Sequence, residues 1–405
     1  MIANDINIPS AKIKYGLDRT YQFLELCKNP QKKISSIQII GTNGKGTVAA
    51  MLSNILKDYG YKVGTFTSPH LVHINERITI NNHHISDEKI YHFLNNYYNK
   101  ANSIDPSFFE LMTVMAMWYF SIEKVDIAIL ETGLGGRLDS ITACENSILV
   151  FTSISMDHHN ILGSSLKKII SEKARAIINN SQECISFNQG KKINEILQKH
   201  AQKYNINIDF IDIQDNIFDL KYLQGNHQAL NAHLAKAAAV KVFKRDNINI
   251  NINKIINSIN NTSWYGRFQI IQIQPTIIYD VAHNNESLLS FINCFNNFVN
   301  EKTYNKKYLI IAFENNKKIK TVLRKYEKYF DYIICSETNV RDSMSCKQMR
   351  SIFSDNKNIS YSNNLYNAIV NSVYKLESKD IMAIIGSHFM APTIQKIFEN
   401  CFAQK

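Results

Sequence analysis

A glycine-rich heptapeptide, Gly41–Thr47, constrains the fold of this chain more than any other feature of its sequence. It follows a short apolar run, Ile37–Ile40, that predicts a strand, and it precedes Val48–Leu56, which predicts a helix with one apolar side. A strand, a glycine-rich turn with one lysine and a helix form the layout of a phosphate cradle. Glycines let backbone N–H groups approach phosphate oxygens, and the helix N-terminus and Lys45 add positive charge. The sequence therefore predicts a site for a nucleoside triphosphate.

The heptapeptide departs from the standard P-loop pattern of Gly, four residues and Gly-Lys-Ser/Thr. Ile39 stands at the position of the first glycine, and Gly46 separates Lys45 from Thr47. The heptapeptide alone therefore leaves two interpretations open, a phosphate loop or an ordinary glycine turn before an α/β helix. The remainder of the chain decides between them.

Length and composition predict a two-domain protein with no membrane segment. The 405 residues exceed the roughly 250–300 at which single cores stop growing. No apolar run approaches the roughly 20 residues that a membrane helix needs, and the first ten residues lack the pattern of a signal peptide. The seven cysteines are scattered without a C-x-x-C pair, which predicts free thiols in a reducing compartment and a cytoplasmic protein.

The net charge of +11 has three interpretations. It could indicate nucleic-acid binding, compositional drift or attraction to a polyanionic small substrate. Drift is favoured because Asn, Ile and Lys are all abundant, as in the alternating Asn/Ile run at 247–253. The basic residues are dispersed and are not interleaved with aromatic residues, so we expect no nucleic-acid partner.

The first part of the chain alternates strand-like and helix-like segments, which predicts an α/β fold with a mostly parallel sheet. The predicted strands are Ser36–Ile40, Lys62–Thr67, Asp126–Glu131 and Ser147–Thr152, and the predicted helices are Val48–Tyr59, Phe108–Ser121 and Leu166–Asn179. Ligands of such sheets bind at the carboxyl ends of the strands. Gly41 and Glu131 lie at such ends, and Asp157 lies shortly beyond one.

A polar, repetitive segment at 247–262 predicts the end of the first domain. We expect domains at 1–262 and 263–405, the second a smaller Rossmann-like α/β domain. Its predicted strands are Thr276–Asp280, Lys307–Ala312, Tyr332–Ser336 and Ile381–Gly386.

Three further segments carry residues suited to a metal-phosphate site. Glu131–Asp139 combines a carboxylate at a strand end with three close glycines, which suits Mg²⁺ or a structural turn. Asp157–Gly163 contains two histidines, which fit an exposed turn or a metal site, although Mg²⁺ prefers oxygen. Glu172–Ala174 on a predicted helix is, taken alone, an ordinary surface pair.

These segments together resemble the folylpolyglutamate synthase family, including its bifunctional dihydrofolate synthase form, in the Mur ligase superfamily. The resemblance covers about residues 12–390, with the segments in the family's order. In the first part, Gly41–Thr47 resembles G-T-N-G-K-G-S, and Ser68–Leu71 with Glu76–Ile78 resembles S-P-H-L…E-R-I. Phe108–Ala116 resembles F-F-E-x-x-T-x-x-A, and Glu131–Asp139 resembles E-x-G-L-G-G-R-L-D. Asp157–Gly163 with Glu172–Ala174 resembles D-H…L-G…E-K-A. In the second part, Gly225–Ala232 resembles G-x-x-Q…N-A, Trp264–Arg267 resembles W-P-G-R, Asp280–Asn284 resembles D-G/V-A-H-N, and Gly386–Ser387 resembles a final G-S.

The resemblance implies an ATP site and two Mg²⁺ ions, with K⁺ as a further candidate ion. The implied catalytic residues are Lys45, His158 and Lys173, and the implied metal ligands are Thr47, Glu131, His158 and Lys173, the last as a carbamate formed with CO₂. Carbamylation turns a cation into a carboxylate-like oxygen ligand. The implied ATP-binding residues are Gly41, Thr42, Asn43, Gly44, Lys45, Gly46 and Thr47, joined across a domain cleft by Asn226, Arg267, Asp280, His283 and Asn284.

The resemblance also implies the substrates and the reaction. The implied folate-binding residues are Ser68, Pro69, His70, Arg77, Phe109, Glu110 and Asp139. A folate-type or dihydropteroate carboxylate would attack the γ-phosphorus of ATP, and L-glutamate would then attack the acyl phosphate. The enzyme would be a tetrahydrofolate synthase, with dihydrofolate synthase activity as a further expectation, and we expect a monomer.

The chain departs from the family pattern at several positions. Arg175 replaces the usual glycine after Glu-Lys-Ala, Tyr265 replaces a proline, and Asn285 replaces another. None of these removes an expected metal or phosphate ligand. Two alternatives are a peptidoglycan-type Mur ligase and a basic nucleic-acid-binding NTPase. Gly46 and the Ser-Pro-His-Leu segment argue against the first.

Overall fold

The computed structural model describes residues 14, 16–101, 103–157, 159–179, 182–213, 217–315, 319–338, 340, 342–353 and 356–402. Its contacts divide the chain into two compact units. The first consists of Met1–Leu220 with Gln228–Thr262, and the second of Lys221–His227 with Ser263–Lys405. In the described part of the chain, no helix has the length and apolar character needed to cross a membrane.

The first unit is built on an eight-stranded sheet of order β4-β3-β2-β5-β1-β6-β7-β8. Its strands are β1 (Ser35–Ile40), β2 (Val63–Phe66), β3 (Ile78–Ile80), β4 (His83–His84), β5 (Ile127–Glu131), β6 (Ile148–Phe151), β7 (Glu183–Phe187) and β8 (Ile208–Ile211). Strands β2, β5, β1, β6, β7 and β8 run parallel, and the short β3 and β4 pair antiparallel at one edge. Every residue of β5 is buried, as expected of a parallel strand covered on both faces.

Nine α-helices in the described residues of the chain up to 262 accompany this sheet. They are α1 (Asp18–Leu26), α2 (Lys45–Asp58), α3 (Asp87–Phe93), α4 (Phe108–Ile122), α5 (His159–Leu162), α6 (Leu166–Ala174), α7 (Lys191–Ala201), α8 (Asn226–Arg245) and α9 (Ile252–Asn260). Helix α4 begins at a capping box in which Ser107 and Glu110 exchange hydrogen bonds, and it is buried over nearly its whole length. Its apolar residues form one core cluster with β2, β3 and β5, while α6 and α7 share another with β6.

Helix α6 is shorter than its sequence pattern predicts. The prediction extended it to Asn179, but it ends at Ala174. Beyond it the chain tightens into turns, because Ala176 and Ile177 donate to carbonyls three residues back. The side chain of Gln182 then accepts from the backbone N–H groups of residues 178 and 179, which gives this segment non-helical partners.

The second unit contains a six-stranded sheet of order β13-β12-β11-β14-β10-β9. Its strands are β9 (Gln269–Gln272), β10 (Thr276–Asp280), β11 (Lys307–Ile311), β12 (Tyr332–Ser336), β13 (Ile359–Ser362) and β14 (Ile381–Ile385), and only β9 pairs antiparallel among these described strands. Its further helices are α10 (Asn285–Asn300), α11 (Lys320–Tyr326), α12 (Cys346–Arg350), α13 (Leu365–Val373) and α14 (Ala391–Ile397). The predicted α/β class, with two mostly parallel sheets, is confirmed.

Candidate functional site

The predicted phosphate loop connects the end of β1 to the start of α2. Gly44 is the N-cap of α2 with a φ of 88°, a left-handed conformation that favours glycine. A Cβ on Gly44 would collide with the side chain of Asn231, and a Cβ on Gly41 would collide with the hydroxyl of Thr152. Because Gly44 has no side chain to cap the helix, the first N–H groups of α2 suit an anionic ligand.

The segment that follows β6 forms hydrogen bonds with the phosphate loop. The N–H of Thr42 donates to the Ser153 carbonyl at 2.6 Å, and its hydroxyl bonds with both the carbonyl and the N–H of Ser155. Ser153, Ser155 and Asn231 of α8 are absent from the predicted site. The sequence did offer one indication: Thr152 ends a predicted strand and Ser153 follows it, and that strand ends at the same edge of the sheet as β1.

Lys45 and Glu131 face each other at this edge. The register of β1 and β5 places Ile39 beside Glu131, which is 4% exposed. The ammonium of Lys45 lies 4.0 Å from Glu131 Oε1 and donates to the Thr42 carbonyl at 3.1 Å. Glu131 Oε2 accepts the backbone N–H of Ser68 at 3.0 Å. One carboxylate therefore connects the phosphate loop to the Ser-Pro-His-Leu segment.

Lys173 is buried in contact with the phosphate loop, although its sequence context suggested a surface residue. It is 5% exposed, and its Nζ donates to the Gly41 carbonyl at 2.6 Å. Burial, and then the charge of Lys45, lower its pKa from 10.5 to about 7. A neutral amine is therefore accessible at neutral pH, and this is the form that can react with CO₂.

The glycine loop between β5 and the turn at 140–144 packs directly on α6. A Cβ on Gly136 would lie 2.7 Å from the Lys173 carbonyl oxygen, and one on Gly133 would lie 2.5 Å from the Phe109 ring. Asp139 closes the loop by accepting the N–H groups of Leu134 and Ile141 at 2.7 and 3.0 Å. Its burial raises its pKa to about 6.

The Ser68–Arg77 segment is organised by its own charged side chains. Glu76 accepts three consecutive backbone N–H groups, those of residues 71–73. Arg77 donates from Nε to His70 Nδ1 at 2.8 Å and lies 5.2 Å from the centre of the Phe108 ring. Loss of solvent, with the charge of Arg77, lowers the pKa of His70 to about 4, so its ring is neutral. Pro69, also a predicted folate contact, is exposed and follows a cis peptide bond.

Phe109 and Glu110 occupy different environments at the start of α4. Phe109 is half-buried beside Phe66, with ring centres 5.6 Å apart, and it faces the glycine loop. Glu110 is 4% exposed, and its carboxylate pairs with Arg19 at 3.1 Å and accepts the Ser107 N–H at 2.6 Å. Phe109 thus presents an apolar surface to the site, while the contacts of Glu110 are those of a helix cap and a buried ion pair.

The second unit assembles its own group of predicted residues at the carboxyl end of β10. Asp280 ends this strand and accepts the N–H groups of Phe268 and Ala282, both at 2.7 Å, and loss of solvent raises its pKa. His283 Nδ1 bonds to a carbonyl at 2.8 Å, and Asn284 caps α10 through a reciprocal bond with Ser287.

Arg267 and the first two residues of α8 lie within the same unit. Arg267 Nη1 donates to the Gly266 carbonyl at 3.2 Å. Asn226 is exposed at the first position of α8. Its neighbour His227 has a pKa lowered to about 4, chiefly by loss of solvent and also by the charge of Arg267.

The oxygen donors near the phosphate loop fit a hard divalent cation. Thr47, in the first turn of α2, and Glu131 supply a hydroxyl and a carboxylate, the ligand types that Mg²⁺ prefers. An unmodified, cationic Lys173 does not fit beside a metal, whereas its carbamate would. His158 lies outside the described residues. Among the residues that are described, no group of three or more His, Cys, Asp or Glu side chains could hold a metal.

The fold and this edge of the first sheet define a class, the Mur-type ATP-dependent ligases. The model of the Mur ligase glutamate ligase domain matches residues 266–388. A dihydrofolate synthase/folylpolyglutamate synthase of Bacillus subtilis is 32% identical over 305 residues, which cover 68% of this chain and 71% of the relative. A protein of the same name from Buchnera aphidicola subsp. Schizaphis graminum is 30% identical over 382 residues, covering 88% and 86%. The chain belongs to the dihydrofolate synthase/folylpolyglutamate synthase family.

Solved structures share the fold over nearly the full length. E. coli FolC in complex with DHPP and ADP has a TM-score of 0.84 at 23% identity, covering 98% of this chain and 96% of that one. The Mycobacterium tuberculosis folylpolyglutamate synthase complexed with ADP has a TM-score of 0.85 at 23% identity, covering 96% and 95%. The family prediction made from the sequence motifs is confirmed.

Proposed function

We propose that this chain is an ATP-dependent ligase that joins L-glutamate to folate, with dihydropteroate as a second acceptor. The observation that carries the proposal is the contact between three family segments at one sheet edge. The amines of Lys45 and Lys173 both donate to the Gly41 carbonyl, and Lys45 also pairs with Glu131. Membership of the family supports this activity over the peptidoglycan-type ligase and the nucleic-acid-binding NTPase, neither of which has a specific observation in its favour.

The first step is proposed to form an acyl phosphate. The folate carboxylate attacks the γ-phosphorus, the bond to the β-γ bridging oxygen breaks, and ADP leaves. The N–H groups of the loop and the ammonium of Lys45 hold the transferring phosphoryl group and stabilise its charge. Mg²⁺ bound by Thr47 and Glu131, with carbamylated Lys173 and His158 for a second ion, would neutralise phosphate charge.

The second step is proposed to form the amide. The glutamate amine attacks the acyl carbon, phosphate leaves with the former C–O bond electrons, and the amine loses a proton to solvent. We propose that the first unit supplies ATP binding and that the second supplies the glutamate ligase function. Phe109, Arg77 and His70 are proposed to hold the folate ring system, since an aromatic face and a guanidinium suit a flat heterocycle.

The test is product analysis after incubation with ATP, Mg²⁺, L-glutamate and either dihydropteroate or tetrahydrofolate. Mass spectrometry should show addition of one or more glutamyl residues, with ADP released in equal amount. Glu131→Gln should lower the rate at least about a hundredfold, the scale for losing one preorganised electrostatic group. Glu123→Gln, which alters a partly exposed ion pair of the same unit, is the matched control. Ligation by Glu131→Gln at the wild-type rate, or ATP turnover stimulated by RNA or DNA alone, would contradict the proposal.

The carbamate on Lys173 is a separate proposal. ¹³C-labelled bicarbonate should give a carbamate carbon resonance in the wild-type protein that is missing in Lys173→Met. A resonance of equal intensity in both proteins would place the carbamate elsewhere.

Three further properties are proposed and tested separately. A monomer is expected from size-exclusion chromatography with light scattering. Replacement of K⁺ by Na⁺ should lower the ligation rate if K⁺ contributes. A cytoplasmic location agrees with the seven free cysteines, and cell fractionation tests it.

A further inference from the structure

Two arginines converge on one carboxylate at the end of α6. Arg137 Nε and Arg175 Nη1 each lie 3.8 Å from a different oxygen of Glu172. Arg137 lies in the glycine loop, and its N–H donates to the Glu172 carbonyl at 3.4 Å. Arg175 is the C-cap of α6. The close approach of Gly136 to the α6 backbone fixes this arrangement, since no side chain fits between them.

This cluster carries one positive charge in excess. The side chains of Arg137 and Arg175 are 47% and 50% exposed, whereas that of Glu172 is 21% exposed. Lys203, in the turn that follows α7, adds a further positive charge near Arg175. Both charges lower the pKa of His200 on α7, behind the larger effect of burial. The carbonyl end of α6 offsets part of this charge. Both guanidinium groups nevertheless remain open to solvent, held in a loose ion pair that costs little to rearrange.

The position of the cluster links it to the proposed reaction. Glu172 precedes Lys173, whose amine contacts the phosphate loop. Within the glycine loop, Gly133 faces the Phe109 ring and Arg137 lies four residues further along the chain. Four residues span at most about 14 Å, which is the scale of one or two glutamyl units. An acceptor bound along this loop would therefore carry its glutamyl carboxylates past the two guanidinium groups.

We propose that Arg137 and Arg175 bind the non-reacting carboxylates of the glutamyl chain of folate, and that Arg175 determines how strongly this enzyme prefers longer chains. This proposal rests on the proposed function. Guanidinium forks suit carboxylates because they form paired N–H···O bonds. Arg175 stands where the family pattern has glycine, so this preference is expected to be stronger than in relatives with glycine there. Dihydropteroate has no glutamyl chain and is the natural reference substrate.

The experiment compares kcat/KM for tetrahydropteroyl triglutamate, tetrahydropteroyl monoglutamate and dihydropteroate in wild type and three variants. Arg175→Gln removes the charge, Arg175→Lys keeps the charge without the fork, and Arg175→Gly restores the family residue. Lys167→Gln, an exposed site on the same helix, is the control. In Arg175→Gln the triglutamate-to-dihydropteroate ratio of kcat/KM should fall about threefold to tenfold through KM, the scale for a half-exposed charged contact. Arg175→Lys should lie between Gln and wild type, and Lys167→Gln should match wild type.

Two results would overturn the inference. One is a triglutamate-to-dihydropteroate ratio of kcat/KM that is unchanged in both Arg175→Gln and Arg175→Gly. The other is a KM that rises equally for all three acceptors, or that rises for ATP alone. The expected fall in the triglutamate-to-dihydropteroate ratio should also be smaller at high salt, because salt screens a half-exposed ion contact. Failure of the wild type to ligate glutamate to any acceptor would instead refute the proposed function, so the two failures are distinguishable.

Discussion

Lys173 gives a quantitative test of how the first unit is built, because an unmodified buried lysine lowers stability. The difference between its ordinary pKa of 10.5 and its pKa of about 7 corresponds to about 5 kcal/mol against the cationic form. A methionine has similar length and no charge to bury. We therefore expect Lys173→Met to increase the free energy of unfolding at pH 6 in buffer without bicarbonate, Mg²⁺ or nucleotide, while it abolishes ligation.

The pH dependence identifies the cause of this increase. The unfolded chain keeps the lysine proton up to its ordinary pKa of 10.5, whereas the folded chain releases it near 7. Below pH 7 the folded chain also carries the lysine proton, so the full cost of burying the charge lowers the stability of the wild type. Between pH 7 and 10.5 the unfolded state binds more protons than the folded state, so the stability of the wild type rises with pH. Methionine does not titrate. The stability advantage of Lys173→Met should therefore shrink by about 2–3 kcal/mol between pH 6 and pH 9.

Urea unfolding followed by tryptophan fluorescence provides the assay. The chain has two tryptophans, and Trp118 belongs to α4 of the first unit. In a Trp264→Phe background, Trp118 reports that unit alone. Lys167→Met, at an exposed position of the same helix, controls for methionine itself. A stability difference between Lys173→Met and wild type that stays constant from pH 6 to pH 9 would refute the assignment of a buried amine with a lowered pKa.

Two other predictions follow from close contacts in the first unit. Gly136→Ala should lower stability by about 1–3 kcal/mol and reduce kcat, because the new Cβ would lie 2.7 Å from the backbone carbonyl oxygen of Lys173. A variant with the melting temperature and rate of the wild type would show that this contact can relax. Arg19→Ala should cost about 3 kcal/mol in urea unfolding, because it leaves the buried Glu110 carboxylate without its guanidinium partner. Asp105→Ala, which breaks an exposed pair with a lysine, should change stability far less, and equal losses for both would contradict the burial argument.

The parallel core of each sheet could be predicted from the sequence because its strands are continuous apolar runs. Strands β1, β5 and β6 were predicted to within one or two residues of their observed bounds. Most of the strands that were not predicted are short or half-exposed, such as β4 with two exposed histidines and β9 at a sheet edge. Strand β7, with five residues of which three are buried, was also not predicted. Their formation depends on pairing with a neighbour, which a local pattern does not encode.

Candidate site residues within one motif could be predicted, whereas contacts between distant segments could not. The phosphate loop was predicted from its glycines and lysine, with an ordinary glycine turn as the alternative. The contact of Gly44 with Asn231 and the bonds of Thr42 to Ser153 and Ser155 join segments more than a hundred residues apart. Contacts between such distant segments can be predicted only once the order of the strands in the sheet is known. Likewise, the burial of Lys173 contradicts its polar sequence context and depends on the glycine loop that covers it.

The glycines of the family motifs are explained by contacts with other motifs. Gly41 approaches the segment after β6, and Gly136 approaches the backbone of α6 at Lys173. Lys173 in turn donates to the Gly41 carbonyl, so α6 connects the glycine loop to the phosphate loop. A side chain at either glycine would displace a neighbouring segment and move the amine relative to the phosphate loop. The glycines thus fix the distance between the phosphate loop and the buried lysine, and a substitution at one motif should alter the chemistry attributed to another.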